Sequence, residues 1–201
     1  MTKILIIGAT GSIGQVVREE LLKRAGVELT LFSRTANQLN LINSKRETVI
    51  SANVFDEEKL DNALKGQEIV FVALSGNLEK MTSAVIHSMK KFNVKRLIVI
   101  SSMGIYNEIP DSIGASGNLA FNPFLQTYRN AADVVESSEL DYTIIRPGWF
   151  DNGSDEYEIT LKGEPFGGHN VSRKSIADLV LRLVDDPTVY LRKSIGINRP
   201  E

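Results

Sequence analysis

Short apolar runs alternate with stretches of helical periodicity along the chain, and this alternation restricts the fold more than any other feature. Apolar runs at residues 4–7, 27–32, 48–54, 69–74 and 97–100 predict strands. Between them, apolar residues recur every three to four positions, as they do on one face of a helix. Strands that alternate with helices form a parallel sheet covered on both faces. We therefore predict a single doubly wound α/β domain with a mostly parallel sheet.

The rest of the chain extends this pattern and interrupts it once. Beyond residue 122 the sequence predicts a helix after Pro123, strands at 142–146, 157–161 and 195–197, and a last helix capped by Ser172. Between residues 103 and 122 the periodicity fails, and Gly, Ser, Asn and Pro accumulate. Long irregular segments of this kind usually cover a site, so we predict a lid there. Residues 1–201 form one domain, in which a small region from about residue 149 lies on the substrate side.

Composition limits the class of partner. The chain has 23 Lys+Arg against 25 Asp+Glu, a balance that provides no electrostatic surface for nucleic acid. With no cysteine and only 2 histidines far apart, we predict no metal site. No apolar run approaches the ~20 residues of a membrane span, and the run after Lys3 is too short for a signal peptide. We expect a cytoplasmic monomer or dimer that binds small molecules and neither nucleic acid nor membrane.

A glycine-rich turn joins the first predicted strand to the first predicted helix. It reads Gly8-Ala9-Thr10-Gly11-Ser12-Ile13-Gly14. Free N–H groups and the dipole favour a phosphate at such a helix start. Gly8 allows a tight turn, Gly11 lets the backbone approach a pyrophosphate, and Gly14 lets the helix pack close to the strand. The spacing and its position predict a Rossmann-type dinucleotide site at residues 8–14.

The end of the second strand indicates which dinucleotide binds. An NAD-binding protein holds the ribose 2′-hydroxyl there with Asp or Glu, whereas this chain has Ser33-Arg34. An arginine fits a 2′-phosphate with its planar fork, so we predict NADP(H) in preference to NAD(H). The ends of the third and fourth strands supply the further predicted cofactor contacts, which are Asn53, Val54, Ala73, Leu74, Ser75 and Gly76.

Together, the glycine spacing, Arg34, Ser101-Ser102 and the run Asp141-Tyr142-Thr143-Ile144-Ile145-Arg146-Pro147-Gly148 resemble the atypical short-chain dehydrogenase/reductases, particularly their NmrA-like NAD(P)H-binding branch. The resemblance spans nearly the whole chain. It implies that Ser101, Ser102 and Met103 line the nicotinamide side. It also implies that Pro147, Gly148 and Trp149 bound the nicotinamide and substrate pocket.

One departure from this superfamily concerns its proton donor. Its reductases use a tyrosine followed four positions later by a lysine, whose cation lowers the pKa of the phenol. No tyrosine of this chain has a lysine at that spacing. Tyr128-Arg129 lies where related proteins often carry a lysine, so Arg129 could replace the cation and contact the cofactor. Tyr128 and Ser102 are therefore the catalytic candidates. The alternative role for Tyr128 is to pack in the core without taking part in catalysis.

Two aromatic residues and two cations complete the candidates. Trp149-Phe150 follow the sixth strand at the carboxyl edge of the sheet, where a flat substrate could stack on them, unless they only close the core. Arg173-Lys174 stand in the first turn of the last helix, where the dipole disfavours cations. They indicate either an anionic contact or a solvated face.

These observations lead to one preferred function and two alternatives. We predict an NADPH-dependent reductase of a small planar acceptor, such as a flavin or a quinone, with direct hydride transfer. The first alternative is a non-enzymatic redox sensor that binds NADP(H) and passes its state to a protein partner. The second, a nucleotide-sugar epimerase or dehydratase, is weakened because those enzymes usually carry the tyrosine–lysine pair and a larger carboxyl-terminal region.

Overall fold

Strands and helices alternate through the first two thirds of the computed structural model, which describes all residues, 1–201. In chain order the elements are β1 (Thr2–Ile7), α1 (Ser12–Leu22), β2 (Val27–Ser33), β3 (Glu47–Ser51), α2 (Glu57–Leu64), β4 (Ile69–Val72), α3 (Leu78–Lys91), β5 (Arg96–Ile100), α4 (Gln126–Glu136), β6 (Asp141–Pro147), β7 (Trp149–Asp151), β8 (Glu158–Leu161), β9 (Asn170–Ser172), α5 (Arg173–Asp185) and β10 (Lys193–Asn198). Short 3-10 turns lie at Ala36–Gln38, Ala115–Gly117 and Pro123–Leu125.

The main sheet has eight strands in the order β3-β2-β1-β4-β5-β6-β10-β8. All neighbouring pairs are parallel except β10 and β8, which run antiparallel. The chain winds outward from β1 to β3 and then crosses back to β4 on the other side of β1, so the strand order reverses between β1 and β4. Ligands of open α/β sheets bind at the carboxyl ends of the strands at such a reversal. The predicted doubly wound, mostly parallel Rossmann-type domain is confirmed.

Helices cover both faces of this sheet. Helices α1 and α5 pack on one face, and α2, α3 and α4 pack on the other. The central strand β1 shows why its sequence is uniformly apolar: Ile4 and Ile6 belong to one core, Leu5 and Ile7 belong to the other, and all four are fully buried. A strand buried on both faces has no solvent side on which polar residues could alternate.

Side chains cap the starts of α2 and α5, and the cap predicted at Ser172 is confirmed. The Asp56 carboxylate accepts a hydrogen bond from the backbone N–H of Lys59 at the start of α2, and Ser172 accepts one from Ser175 at the start of α5. The first helix ends at Leu22, and Gly26 has a φ of +81° in the turn before β2. Strands β3 and β4 are shorter than predicted, because their last residues leave the sheet and line a crevice.

The sequence pattern did not predict β7 and β9. These two strands of three residues each pair in parallel as a separate small sheet, with Trp149 opposite Asn170. The backbone at Gly148 passes so close to this pair that a Cβ there would lie 2.5 Å from the carbonyl oxygen of His169. The small sheet therefore holds the chain that follows β6 against the edge of the domain.

The irregular segment 103–122 is only partly lid-like. Met103, Ile105 and Ile109 are buried, and the Asn118 side chain accepts from and donates to the backbone of Ile109. Exposed residues occur through the middle of the segment, as at Asp111 and Ser116, and at its end, where Phe121 is 70% exposed. Burial of these residues ties parts of the segment to the core, and the lid over 103–122 stays a prediction.

Candidate functional site

The glycine turn between β1 and α1 has the geometry that its sequence predicts. Gly8 has a φ of +92°, and a Cβ there would lie 2.0 Å from the carbonyl oxygen of Ala73. A Cβ at Gly14 would lie 2.3 Å from the carbonyl oxygen of Gly8. No larger residue fits either position without moving backbone, so these two glycines bring β1, β4 and the start of α1 into direct contact.

Helix α1 begins at this turn with its first N–H groups unoccupied by side chains. Gly11 is the N-cap residue, no side chain caps the helix, and its first turn holds no acidic residue. Ser12 and Ile13 follow as the first helical residues. Helix N-terminal amides of this kind favour an anion through their hydrogen atoms and the helix dipole.

A cavity of about 480 Å³ opens above this turn. We call it the glycine-side cavity, and the predicted residues that line it are Gly8, Thr10, Gly11, Ser33, Arg34, Asn53, Val54, Ala73, Leu74 and Ser75. The cavity has five further lining residues that sequence reasoning missed, which are Ile7, Phe32, Thr35, Ala52 and Met81. Thr35 follows the predicted Ser33-Arg34 directly, so its position was a usable signal, whereas Met81 reaches the cavity from α3.

Hydroxyl groups and one free cation meet at the β2 end of the glycine-side cavity. The Thr10 hydroxyl donates to the Ser33 hydroxyl at 3.1 Å, and the Thr35 hydroxyl donates to Thr10 at 3.5 Å. Arg34 is exposed and has no hydrogen bond or ion pair within the protein. A guanidinium beside three hydroxyls can bind a phosphate through several charge-assisted hydrogen bonds.

A second cavity, of about 270 Å³, lies at the carboxyl ends of β5 and β6. We call it the aromatic-side cavity, and the predicted residues that line it are Ser101, Ser102, Met103, Tyr128, Pro147, Gly148, Trp149 and Phe150. Gly117, Asn122, Phe124 and Leu125 also line it and were missed. They lie in or just after the irregular segment, where no periodicity indicates which side chains face inward.

Polar groups are few in the aromatic-side cavity. The buried Ser101 hydroxyl has no hydrogen-bond partner, and the Ser102 hydroxyl donates to the carbonyl oxygen of Met103. The Tyr128 ring lies 6.5 Å from the Phe124 ring, and its hydroxyl has no hydrogen-bond partner in the protein. Ser101 and Tyr128 also share a small crevice beneath α4. The cavity can thus hold an apolar ring and offer it a small number of hydroxyl groups.

The structure does not bring Arg129 to either cavity. Its guanidinium pairs with Asp133 at 2.9 Å and lies over the Tyr106 ring, 4.8 Å from the ring centroid. The reason is helical geometry, because consecutive residues of α4 point about 100° apart, so Tyr128 and Arg129 face different surroundings. The hypothesis that Arg129 supplies the missing cation beside Tyr128 or contacts the cofactor has no support in this geometry.

A cluster of charges surrounds Tyr106 behind the aromatic-side cavity. Arg146 is fully buried, forms an ion pair with Glu108 and lies 5.2 Å from the Tyr106 ring centroid. Glu108 also accepts hydrogen bonds from the backbone N–H groups of Gly104 and Tyr106. Burial raises the pKa of the Tyr106 phenol, whose hydroxyl donates to Glu136. This cluster fixes the first part of the irregular segment onto β6.

Of the remaining predicted residues, Ser12, Ile13, Gly14 and Gly76 lie next to the glycine-side cavity without lining it. Gly76 has a φ of +110°, and its carbonyl oxygen accepts a hydrogen bond from Thr127 of α4. It therefore helps to join the end of β4 to α4. No helix of the structure has the length and apolar character that a bilayer crossing requires.

Comparison with known proteins gives a consistent result. A family model described as NAD(P)H-binding matches residues 8–187. A Rossmann-fold NAD(P)-binding family protein from Shigella flexneri is 35% identical, covers 100% of this chain and 94% of its own, and superposes with a TM-score of 0.87. A short-chain dehydrogenase/reductase from Veillonella parvula, solved in complex with NADP, is 28% identical with a TM-score of 0.91 over 99% of this chain and 95% of its own.

A relative with a different description matches over similar lengths. The uncharacterized sugar epimerase YhfK of Bacillus subtilis is 25% identical in an alignment 197 residues long that covers 92% of this chain and 88% of that protein. The family model, over residues 8–187, includes both the glycine turn and the strands that carry the aromatic-side cavity.

Proposed function

This chain belongs to the NAD(P)H-binding family, and from that premise we propose that it is an NADPH-dependent reductase of a small planar acceptor of flavin or quinone type. The family and the solved relatives confirm the resemblance to the atypical short-chain dehydrogenase/reductases. The observation that carries the proposal is the pair of cavities, one glycine-lined and polar, the other aromatic, both at the carboxyl edge of one sheet.

The glycine-side cavity fits a dinucleotide. Gly8 lets β4 approach the turn, since a Cβ there would collide with the Ala73 carbonyl oxygen, and the uncapped start of α1 offers free N–H groups to a pyrophosphate. Asn53 and Val54 border the adenine in this proposal. The unpaired guanidinium of Arg34 beside the Ser33 hydroxyl supports NADP(H) over NAD(H), and the relative from Veillonella parvula was solved with NADP.

The aromatic-side cavity holds the acceptor beside the nicotinamide. Ser101, Pro147 and Gly148 border the nicotinamide side in this proposal, and Trp149 and Phe150 hold the acceptor ring. NADPH when bound supplies a hydride. The chain contributes binding, orientation and exclusion of water, because positioning alone accounts for a large part of such a rate. Residues 1–201 act as one domain, with the part from about residue 149 on the acceptor side.

The proton that accompanies the hydride comes from water in this proposal. Tyr128 lies in the cavity, but the cation that would assist it is absent, because Arg129 pairs with Asp133. A flavin or quinone suits such a site, since the anion left after hydride transfer is delocalised and takes its proton from solvent. An epimerase must instead remove and return a proton at a sugar carbon, which requires an acid–base group in contact with it.

The redox-sensor alternative is favoured by the same missing cation. A sensor must bind NADPH and NADP+ with different affinities, because equal binding shifts no equilibrium between protein states. A reductase has no such requirement. The two functions are therefore separated by a binding measurement and an acceptor assay on the same protein.

Calorimetric titration with NADPH, NADP+ and NADH tests the cofactor part of the proposal. We expect NADPH and NADP+ to bind comparably and NADH to bind at least tenfold more weakly, since a charge-assisted hydrogen bond contributes roughly 1.5–3 kcal/mol. The variant R34Q should lose about tenfold in NADPH affinity and little in NADH affinity. Lys45→Gln removes a charge from an exposed position outside the cavity and serves as the control.

An acceptor assay tests the reaction. NADPH oxidation is followed by absorbance with a set of flavins and quinones, in the wild type and in Trp149→Ala. We expect turnover with at least one acceptor and a large loss in the variant, because Trp149 forms a wall of the cavity. Full activity in Trp149→Ala would contradict the assignment of the cavity. Tight binding of one cofactor redox state without any turnover would support the sensor.

A further inference from the structure

Arg173 begins α5 next to Phe150, one of the walls of the aromatic-side cavity. Its guanidinium carbon lies 5.6 Å from the centroid of the Phe150 ring. Its Nη1 donates to the carbonyl oxygen of Asp151 and to the amide oxygen of Asn152, both at 3.1 Å. Both acceptors are uncharged groups. They fix the direction of the Arg173 side chain without neutralising its charge.

The acidic groups around Arg173 are engaged elsewhere. The Asp151 carboxylate pairs with Arg199 at 2.6 Å, and the Asp155 carboxylate accepts the hydroxyl of Ser172 at 2.9 Å. Arg173 takes part in no ion pair. Its place in the first turn of α5 adds the positive end of the helix dipole to its own charge. The Arg173 guanidinium beside Phe150 therefore has no carboxylate partner within the protein.

We propose that Arg173 binds an anionic arm of the acceptor, a phosphate or a carboxylate, whose ring occupies the aromatic-side cavity. This inference rests on the planar acceptor of the proposed function and specifies its chemistry. Arg173 does not itself line the cavity, but its guanidinium carbon lies 5.6 Å from the ring centroid of Phe150, which does, so the arm must extend from the bound ring past Phe150. The planar fork of an arginine matches both anions and discriminates against a neutral arm.

Riboflavin and flavin mononucleotide are the probes, because they share one ring system and differ by a phosphate. A flavin with a carboxymethyl arm on the same ring nitrogen tests a carboxylate. The readout is the emission of Trp149, which is the only tryptophan of the chain and lines the cavity with 65% of its surface exposed. The protein is loaded with NADP+ and titrated at 150 mM salt, where the Debye length of about 8 Å limits effects from distant charges.

We expect an anionic flavin to bind about tenfold more tightly than riboflavin, as a charge-assisted hydrogen bond implies. In R173Q this ratio should fall to about one while the riboflavin affinity stays within twofold, and in R173K it should be intermediate. Lys174→Gln is the matched control, because it removes the next charge of α5 from an exposed side chain and should keep the ratio.

Preference for flavin mononucleotide assigns a phosphate arm, and preference for the carboxymethyl flavin assigns a carboxylate arm. Equal affinities in the wild type, no quenching by any of the three probes, or an equal loss in Lys174→Gln would overturn the proposal. Turnover of NADPH is measured separately. An anion preference that depends on Arg173, without NADPH turnover, supports the anion site and contradicts the reductase. NADPH turnover without a preference for either anionic flavin supports the reductase and contradicts the anion site.

Discussion

The two cavities are built in different ways although they lie along the same sheet edge. The glycine-side cavity is formed largely by residues at the ends of adjacent parallel strands and by the start of one helix. The aromatic-side cavity collects residues from the segment that follows β5, from the 3-10 turn before α4, from α4 itself, and from the end of β6 and the start of β7. The first is shaped by backbone geometry, and the second by side chains on segments that different contacts hold in place. We infer that substitutions should affect the two cavities separately.

The largest loss of stability is expected at Gly8, where a close backbone approach requires glycine in addition to the positive φ. In Gly8→Ala the new Cβ would lie 2.0 Å from the Ala73 carbonyl oxygen, so β1 and β4 must move apart. We expect a loss of about 3 kcal/mol in the free energy of unfolding and loss of NADPH binding. Denaturant unfolding and calorimetry measure the two effects.

Gly26→Ala is the matched control for this prediction. Gly26 has a similar φ of +81°, but no atom lies within 4 Å of the place that a Cβ would take, so only the backbone conformation is strained. We expect a loss of about 1 kcal/mol with NADPH affinity unchanged. Equal losses of stability in the two variants would show that positive φ alone, and not the approach of β4, makes glycine necessary at position 8.

A second prediction concerns the aromatic-side cavity. Glu108→Gln leaves the fully buried Arg146 without its charge partner, and we expect a loss of about 3 kcal/mol in the free energy of unfolding. Because Glu108 also holds the Gly104 and Tyr106 amides, the Trp149 emission and acceptor binding should change, whereas NADPH affinity should stay within threefold.

The exposed pair Arg24–Asp185 provides the comparison for this ion pair. Both side chains are more than half exposed, so Asp185→Asn should cost less than about 1 kcal/mol. If Glu108→Gln weakened NADPH binding as strongly as acceptor binding, the two cavities would not be independent.

The smallest effect is expected at Tyr128. Its hydroxyl has no protein partner and no cation beside it, because Arg129 pairs with Asp133. We expect Tyr128→Phe to lower kcat by less than about threefold, whereas loss of a general acid usually costs about 10²–10⁴-fold. Steady-state kinetics with the acceptor from the screen measure this change. A loss of a hundredfold would assign the proton to Tyr128 and contradict its supply by water.

Sequence patterns predicted the glycine-side cavity well because its determinants are local. The turn from Gly8 to Gly14 lies within one strand-to-helix connection, and the residues after β2 follow from counting along the chain. Hydrophobic periodicity predicted the main elements for a similar reason, because burial of one helix face or of both faces of a strand produces a regular spacing of apolar residues in the sequence. The ends of strands were predicted less accurately, because some residues that leave the sheet to line a crevice are apolar like the strand before them.

The sequence by itself thus determined the doubly wound fold and the residues of the glycine turn. Only the tertiary structure decided that Arg129 turns towards Tyr106, that Glu108 anchors the irregular segment to Arg146, and that Arg173 lies beside Phe150. The physical reason is sequence separation. These contacts join residues that are 23 to 38 positions apart and involve charged side chains. Hydrophobic periodicity and turn residues describe only local structure, so they do not predict which distant charged side chains come into contact.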